Sequence, residues 1–334
     1  MNPVLESPPK ITIGVTEACP LRCRHCYADC AHAPKAGEVD AATWIRVLHT
    51  LAERGVVQAY FEGGEPLAKP GFLDILRAVT PLMMTLMRTH GAGLDAAMAR
   101  SLREAGLGRA LVDLMGARAA THDAWTETPG SFDEACEAVR NLVAVGIPAD
   151  VLVILTRQTA PELNGILKLA HRLGAERVGV LRLYPMGRAK RAWADIALPL
   201  ADQMRAIKGL RPPEGLTVMQ SWHPNDHNCC WQAAAINAFG RAIGCMYLRE
   251  YVDHGDAVAT PYDEIWRTNE LYRHIRSGDV EERCATCSST QGSHGGCRST
   301  AFAWHGRWTA PDPFDTTLNH GIDLTQLPQH LLDR

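Results

Sequence analysis

The chain has 334 residues, 46% hydrophobic and 21% charged, with a formal net charge of −3. That balance fits a soluble globular protein of one large or two medium domains, and gives no electrostatic reason to expect a nucleic acid or an anionic membrane as partner. The opening MNPVLESPPK lacks a basic n-region and an apolar core, and no run approaches the roughly 18 apolar residues of a membrane-spanning helix, so a cytoplasmic protein is expected.

From residue 10 to 185 apolar runs alternate with amphipathic ones. Residues 10–16, around ITIGVT, read as a strand, and AATWIRVLHTLAERG (41–55) as a helix stopped by Gly55. QAYFEG is a strand, PGFLDILRAVTPL a helix opened by Pro70, MTLMRT a strand, LDAAMARSLREAG a helix ending at Gly106, and RALVDLM a strand. GSFDEACEAVRNLVAVG follows as a helix with Ser131 as N-cap and Glu134 at the capping-box position. ADVLVILT, APELNGILKLAHRLG and RVGVLRLY complete six β/α units. Strands this apolar are covered on both faces, so the expected fold is α/β, a partial (β/α)6 TIM-like barrel with a parallel sheet. Chemistry in such folds sits beyond the carboxyl ends of the strands. The loops TEACPLRC, EGGEP, RTHG, MGAR and TRQT all fall on that rim.

After Gly187 the alternation fades. The expected boundaries are a barrel over 1–195, a linker over 196–215 punctuated by Pro199, Pro212 and Pro213, a small cysteine-rich domain over 216–311, and a surface tail over 312–334.

Eleven cysteines, an odd number in a reducing compartment, argue for metal or catalytic roles over a disulfide scaffold. Cys136 stands alone on the apolar face of a helix and reads as a small buried hydrophobe. Four others lie within TEACPLRCRHCYADC (16–30). Cys19, Cys23 and Cys26 make an incomplete zinc site but a good partial cage for a [4Fe–4S] cluster with one open iron. Cys30 as a fourth ligand, or His25 as a zinc ligand, are the alternatives.

The Cys19-x3-Cys23-x2-Cys26 spacing with Tyr27 after it resembles the signature of the radical S-adenosylmethionine (SAM) superfamily, and Glu62–Pro66 (EGGEP) resembles its GGEP motif. The resemblance covers about residues 8–190. It implies that the three cysteines bind a [4Fe–4S] cluster, and that SAM chelates the open iron and is cleaved to a 5′-deoxyadenosyl radical that takes a hydrogen atom from the substrate. Gly63 and Gly64 would let backbone approach the methionine group, and Glu65 would accept from its ammonium. Two positions depart from the family pattern: His90 in THG, read as a donor to the ligand or a satisfied loop histidine, and Asp113 in DLMG, which faces the ribose or the substrate instead of the SAM carboxylate. Arg157 after the fifth strand is a further candidate substrate contact, shared with SAM.

The remaining six cysteines lie between 229 and 297. Nine residues separate Cys230 from Gly240 and four separate Gly240 from Cys245, with Cys284-x2-Cys287 and Cys297 following. This resembles the SPASM/twitch extension of radical SAM enzymes, with Ser293 in place of one expected cysteine. The implied auxiliary [4Fe–4S] cluster draws on Cys230 (or Cys229), Cys245, Cys284, Cys287 and Cys297, with a zinc ribbon as alternative. The surplus thiol of the Cys229/Cys230 pair would then donate hydrogen to a substrate radical. Arg182, Tyr184 and Arg188 are candidate substrate contacts, the arginines as clamps for a carboxylate or phosphate; Trp222, His223 and Trp231 read as core packing or pocket lining. Only eighteen residues precede Cys19 and 37 follow Cys297, which leaves no room for a leader-binding module. The expected substrate is therefore a small hydroxylated natural product (a sugar, aminocyclitol or nucleoside), oxidised, epimerised or decarboxylated with a flavodoxin- or ferredoxin-type electron donor; the alternative is a ribosomal peptide or a tetrapyrrole.

Overall fold

The computed structural model describes residues 5–222, 233–277, 279–281 and 296–333. Strands β1 (Lys10–Thr16), β2 (Gln58–Gly63), β3 (Met84–Thr89), β4 (Arg109–Asp113), β5 (Ala149–Ile154), β6 (Arg177–Leu181) and β7 (Thr217–Gln220) lie side by side in chain order, all parallel. Beyond β1 the sheet continues through β8 (Ala235–Ile236), parallel to β1, then β9 (Arg241–Ala242), antiparallel to β8, and β10 (Gly255–Asp256), antiparallel to β9. All of β1–β7 contribute side chains to one central cavity of about 410 Å³, so the sheet curls around it. Among the described residues its edges are β7 and β10, so the barrel they form is open.

The strand pattern follows from the two environments. Ile11, Ile13, Val15, Ala59, Phe61, Val151 and Val153 are at most 1% exposed in the core shared with the helices. The residues between them, such as Thr12, Tyr60, Leu86 and Leu111, face the lumen and are half-buried. Helix α1 (Ala41–Glu53) buries Trp44, Val47, Leu48 and Leu51 at helical spacing, and its N-cap Asp40 accepts the Thr43 N–H at 2.7 Å. Each such buried large side chain contributes about 1.5–3 kcal/mol. Helices α2 (Phe72–Val79) and α3 (Ala96–Glu104) follow the expected order.

The next connection differs from expectation. A helix that local periodicity does not reveal, α4 (Ala119–Thr126), precedes α5 (Ser131–Ala144). The expected cap Ser131 is the first residue of α5; Gly130, at φ +88°, precedes it. The cap comes from α4: the Asp123 carboxylate accepts the Gly130 and Phe132 N–H groups at 2.8 Å and the Ser131 hydroxyl at 3.1 Å. Cys136 is buried on α5, as expected. Helix α6 (Leu163–Leu173) completes the sixth unit.

Two further expectations are corrected. Residues 196–215 are not a bare linker. Helix α7 (Arg188–Ile196) is followed by α8 (Leu200–Lys208), with Pro199 at its N-cap. The Gln203 amide donates to Leu198 O at 2.7 Å and accepts Trp222 Nε1–H at 2.9 Å, which ties α8 to the buried Trp222 just beyond β7. Nor is the stretch beyond Pro311 a surface tail: Asp312, Phe314, Leu318, Leu324 and Leu331 are buried. Its anchor is a contact between Asp312 and Arg182, whose side chains are both 0% exposed. Asp312 also accepts the N–H groups of Cys297 (2.9 Å) and Phe314 (3.1 Å) and the Thr300 hydroxyl (2.7 Å). Arg182, read as a substrate clamp, is thus engaged by a partner 130 residues away.

Breaking a buried pair leaves an uncompensated charge. Asp312→Ala is therefore expected to lower stability by roughly 3–5 kcal/mol, seen as a reduced denaturant midpoint. Asp74→Ala, which removes the exposed Asp74–Arg77 pair, is expected to change it by no more than about 1 kcal/mol.

Candidate active site: a thiol pocket joined to the barrel lumen

The loop after β1 closes on itself. Cys19 N–H donates to Ala31 O at 2.7 Å and Ala31 N–H to Glu17 O at 3.1 Å. Its middle hangs on α4, where Arg22 and Arg24 N–H donate to Thr126 and Trp125 carbonyls at 3.1 Å. Arg188 of α7 binds it from the far side, giving hydrogen bonds to Cys23 O (3.1 Å), Cys30 O (2.9 Å) and Asp29 Oδ1 (2.9 Å). This frame places Cys19, Cys23, Cys26 and Cys30 around one pocket, with Gly63, Gly64, Arg88, His90, Asp113 and Arg188 completing its wall. His25 also reaches the pocket; its ring stacks on Trp125 and its Nδ1 accepts Trp125 Nε1–H.

Burial pushes the Cys19 thiol up to about 12 and Cys23 well above its ordinary range. Cys26 moves the other way, to about 6, because the Cys30 thiol hydrogen-bonds to it and outweighs burial. Three thiolates so close in low dielectric repel one another, and only a cationic centre held among them would make all three favourable. Among the described residues no three His, Cys, Asp or Glu side chains are placed to hold a metal ion; the sulfurs instead ring a pocket, an arrangement that fits a cluster of several irons.

The two glycines have a fold-level reason. A Cβ on Gly63 (φ +130°) would lie 2.4 Å from Thr16 O, and one on Gly64 2.1 Å from Ala18 O. Their amide-side contacts, Gly64 N–H to Thr16 O at 2.7 Å and Glu65 N–H to Ala18 O at 2.8 Å, zip the β2 loop to the cysteine loop. The space that Cβ atoms would fill is held by protein backbone, while the opposite face lines the pocket. Glu65, expected to meet a ligand ammonium, is 1% exposed and does not line the pocket. Its oxygens accept the Thr89 hydroxyl (2.9 Å), His90 N–H (2.9 Å) and Leu67 N–H (3.2 Å). It ties β2 to β3, and burial raises its carboxyl to about 7.

His90 and Asp113 do reach the pocket, with His90 Nδ1 3.5 Å from Asp113 Oδ2. Arg157 does not. It is exposed, and its Nη2 donates to Ala197 O at 3.2 Å.

Sequence reasoning missed Arg88, which organises this floor. Its Nε and Nη2 grip Asp113 at 3.0–3.1 Å, and its Nη1 lies 3.9 Å from Glu62. The signal was alternation: Phe61 pairs with Met87 in register, so Glu62 and Arg88 follow together on the lumen face. Both residues line the thiol pocket and the lumen, and so form the partition between the two spaces.

The lumen's remaining wall comes from the later chain, including Cys245 and Tyr247. Tyr247 stacks on Tyr184 with centroids 3.8 Å apart and meets the edge of Tyr27 at 5.4 Å. Cys297 Sγ is 3.8 Å from Tyr184 Oη. Cys229, Cys230, Cys284 and Cys287, and with them His223 and Trp231, lie outside the described residues.

Adding a methyl group at Gly64 drives it into backbone, which cannot rotate aside. Gly64→Ala is expected to cost about 3 kcal/mol, the upper end for overpacking, measured by denaturant unfolding. Gly55→Ala, at φ +92° with nothing within 4 Å of the added carbon, is expected to cost only about 1 kcal/mol.

A sequence model of the Radical SAM superfamily matches residues 13–170, and one described as SPASM, an iron-sulfur cluster-binding domain, matches residues 229–288. A PqqA peptide cyclase of Gluconobacter oxydans is 30% identical over 332 residues, covering 92% of this chain and 91% of that protein. An AdoMet-dependent heme synthase of Oleidesulfovibrio alaskensis is 25% identical over 90% of this chain and 85% of its own length. In fold, the chain resembles Streptococcus suis SuiB, solved bound to the precursor peptide SuiA, with a TM-score of 0.76 at 16% identity over 94% of this chain and 76% of that one. Among the described residues no helix is long and apolar enough to cross a membrane. With a full-length relative at 30% identity and both domains matched, the chain belongs to the radical SAM superfamily and is one of its enzymes carrying a C-terminal SPASM iron–sulfur domain.

Proposed function

We propose that this enzyme is a maturase of a ribosomal peptide. The observation that carries the reading is the match to a PqqA peptide cyclase along nearly the whole of both chains. It displaces the expected sugar, aminocyclitol or nucleoside substrate. That expectation leaned on the lack of room for a leader-binding module, yet a relative named for a peptide substrate is matched over 91% of its length.

In this reading Cys19, Cys23 and Cys26 hold the [4Fe–4S] cluster, and Gly63, Gly64, His90 and Asp113 line the place where SAM binds. When bound, that pair supplies the 5′-deoxyadenosyl radical that removes a hydrogen atom from the substrate, with a flavodoxin- or ferredoxin-type protein as electron source. The chain's own residues do the rest. Arg188 fixes the shape of the cysteine loop and places a cation beside the sulfurs. The lumen receives the reacting side chain and excludes water through its leucine-rich wall. The SPASM domain's auxiliary cluster draws its four ligands from Cys230 (or Cys229), Cys245, Cys284, Cys287 and Cys297. The role of Cys229 or Cys230 as hydrogen donor stays a proposal on residues outside the described part.

Two measurements test this. Anaerobic reconstitution is expected to load about eight irons per chain, and a Cys19→Ala/Cys23→Ala/Cys26→Ala variant to lose about four of them; retention of full iron content would remove these cysteines from the cluster. Formation of 5′-deoxyadenosine from SAM is expected to rise severalfold over background with a synthetic peptide library and stay flat with a panel of sugars, aminocyclitols and nucleosides. Stimulation by that panel alone would return the substrate to the small-molecule class.

A further inference from the structure

Glu62 is a buried carboxylate for which the reading above has no use. It lies on the lumen face of β2, its side chain 7% exposed, and lines both the thiol pocket and the lumen. Among the described residues it meets the Tyr27 hydroxyl, which donates at 3.1 Å, and Arg88 Nη1 at 3.9 Å. Arg88 is a poor counter-ion for it, because the guanidinium already grips Asp113 through Nε and Nη2 at 3.0–3.1 Å. Two buried carboxylates therefore share one guanidinium. Burial raises the Glu62 carboxyl above its ordinary range, although Arg88 and the Tyr27 hydrogen bond pull it down. His90, the imidazole on this floor, is pushed toward its neutral form by burial and by Arg88, against the pull of Asp113.

A buried anion with a shared partner is costly unless a further positive group joins it. The space beside Glu62 is cavity, and the cavity has a definite chemistry. The wall of this cavity includes Leu86, Leu111, Leu152, Leu181 and Met219. Glu62 lies near the carboxyl end of β2, and Lys10, the first residue of β1, lines the cavity at the amino ends of the strands. An aliphatic stem fits the leucines. A positive head fits the Glu62 end and is repelled by the Lys10 end, which fixes its direction.

We propose that the lumen is a binding site for a lysine-like side chain of the substrate, its methylenes along the leucine wall and its ammonium paired with Glu62. This rests on the peptide reading and adds a residue class to it. The same positive charge could come from SAM, whose pocket Glu62 also touches, and the test separates the two sources.

The anaerobically reconstituted enzyme is titrated calorimetrically with Nα-acetyl-lysine methylamide, with its norleucine counterpart and with SAM, as wild type and as Glu62→Gln. Wild type is expected to bind the lysine probe at least about tenfold more tightly than the norleucine probe, the scale of a hydrogen bond to a charged group. Glu62→Gln is expected to abolish that preference while leaving SAM affinity within about twofold. Equal affinity for the two probes in wild type, including no binding of either, overturns the proposal and requires no variant to fold. So does a lysine preference that survives in Glu62→Gln, or a loss of SAM affinity as large as the loss for lysine. Binding of a free probe needs no turnover, so a failed peptide assay and a failed Glu62 are read separately.

Discussion

The Arg88 guanidinium is the constraint on which the active end of this barrel depends. It projects from β3 into the lumen, satisfies Asp113 from β4 by two of its edges, and extends its third nitrogen toward Glu62 of β2. Three adjacent strands are thereby cross-linked at one height, where the thiol pocket ends and the lumen begins. A buried arginine is acceptable there because it holds carboxylates on both sides, and the carboxylates are acceptable because of it. The negative charge at position 113 is compensated from the neighbouring strand.

What the sequence makes legible here is what local periodicity and spacing encode. The strands β1–β6, the helices α1–α3, α5 and α6 between them, and the burial of Cys136 all follow from alternation of apolar residues with stops at Gly and Pro. The Cys19–Cys26 spacing and the glycine pair identify the rim on which chemistry sits, and the structure gathers those residues in one pocket. What stayed hidden depends on partners far apart in the chain. Asp123 caps a helix to which it does not belong. Arg182 meets Asp312 across 130 residues, turning an apparent clamp into an anchor and an apparent tail into core. Glu65 carries a family motif, yet its carboxylate ties together the turn after β2 and the end of β3.

Residues after 240 are as much a part of the thiol pocket's support as the barrel is. Arg249 pairs with Glu17, just before Cys19, and lies 5.9 Å from the Tyr27 ring. Gly187 N–H donates to Glu250 at 2.7 Å, immediately before the helix whose Arg188 braces the cysteine loop. Tyr251 donates to Pro185 O at 3.3 Å. The later chain therefore grips both the entry to the loop and the element that holds its far side.

The tyrosines continue this coupling into the lumen. Tyr27 follows Cys26 directly, shares its hydroxyl with Glu62 and meets Tyr247 edge-on; Tyr247 closes the lumen and stacks flat on Tyr184, whose hydroxyl stands beside Cys297. Offset and edge contacts of this kind add roughly 0.5–1.5 kcal/mol each beyond their burial. Ser299 donates to the Tyr247 carbonyl, which fixes that residue from the helix opened by Cys297. One continuous set of rings thus runs from the first cysteine loop, past the lumen wall, to a cysteine of the C-terminal region. A side chain bound in the lumen would lie against this stack on one side and against Glu62 and Arg88 on another. The lumen wall, the first cysteine loop and Cys297 are therefore joined by the same few contacts, and none of them is local in the sequence.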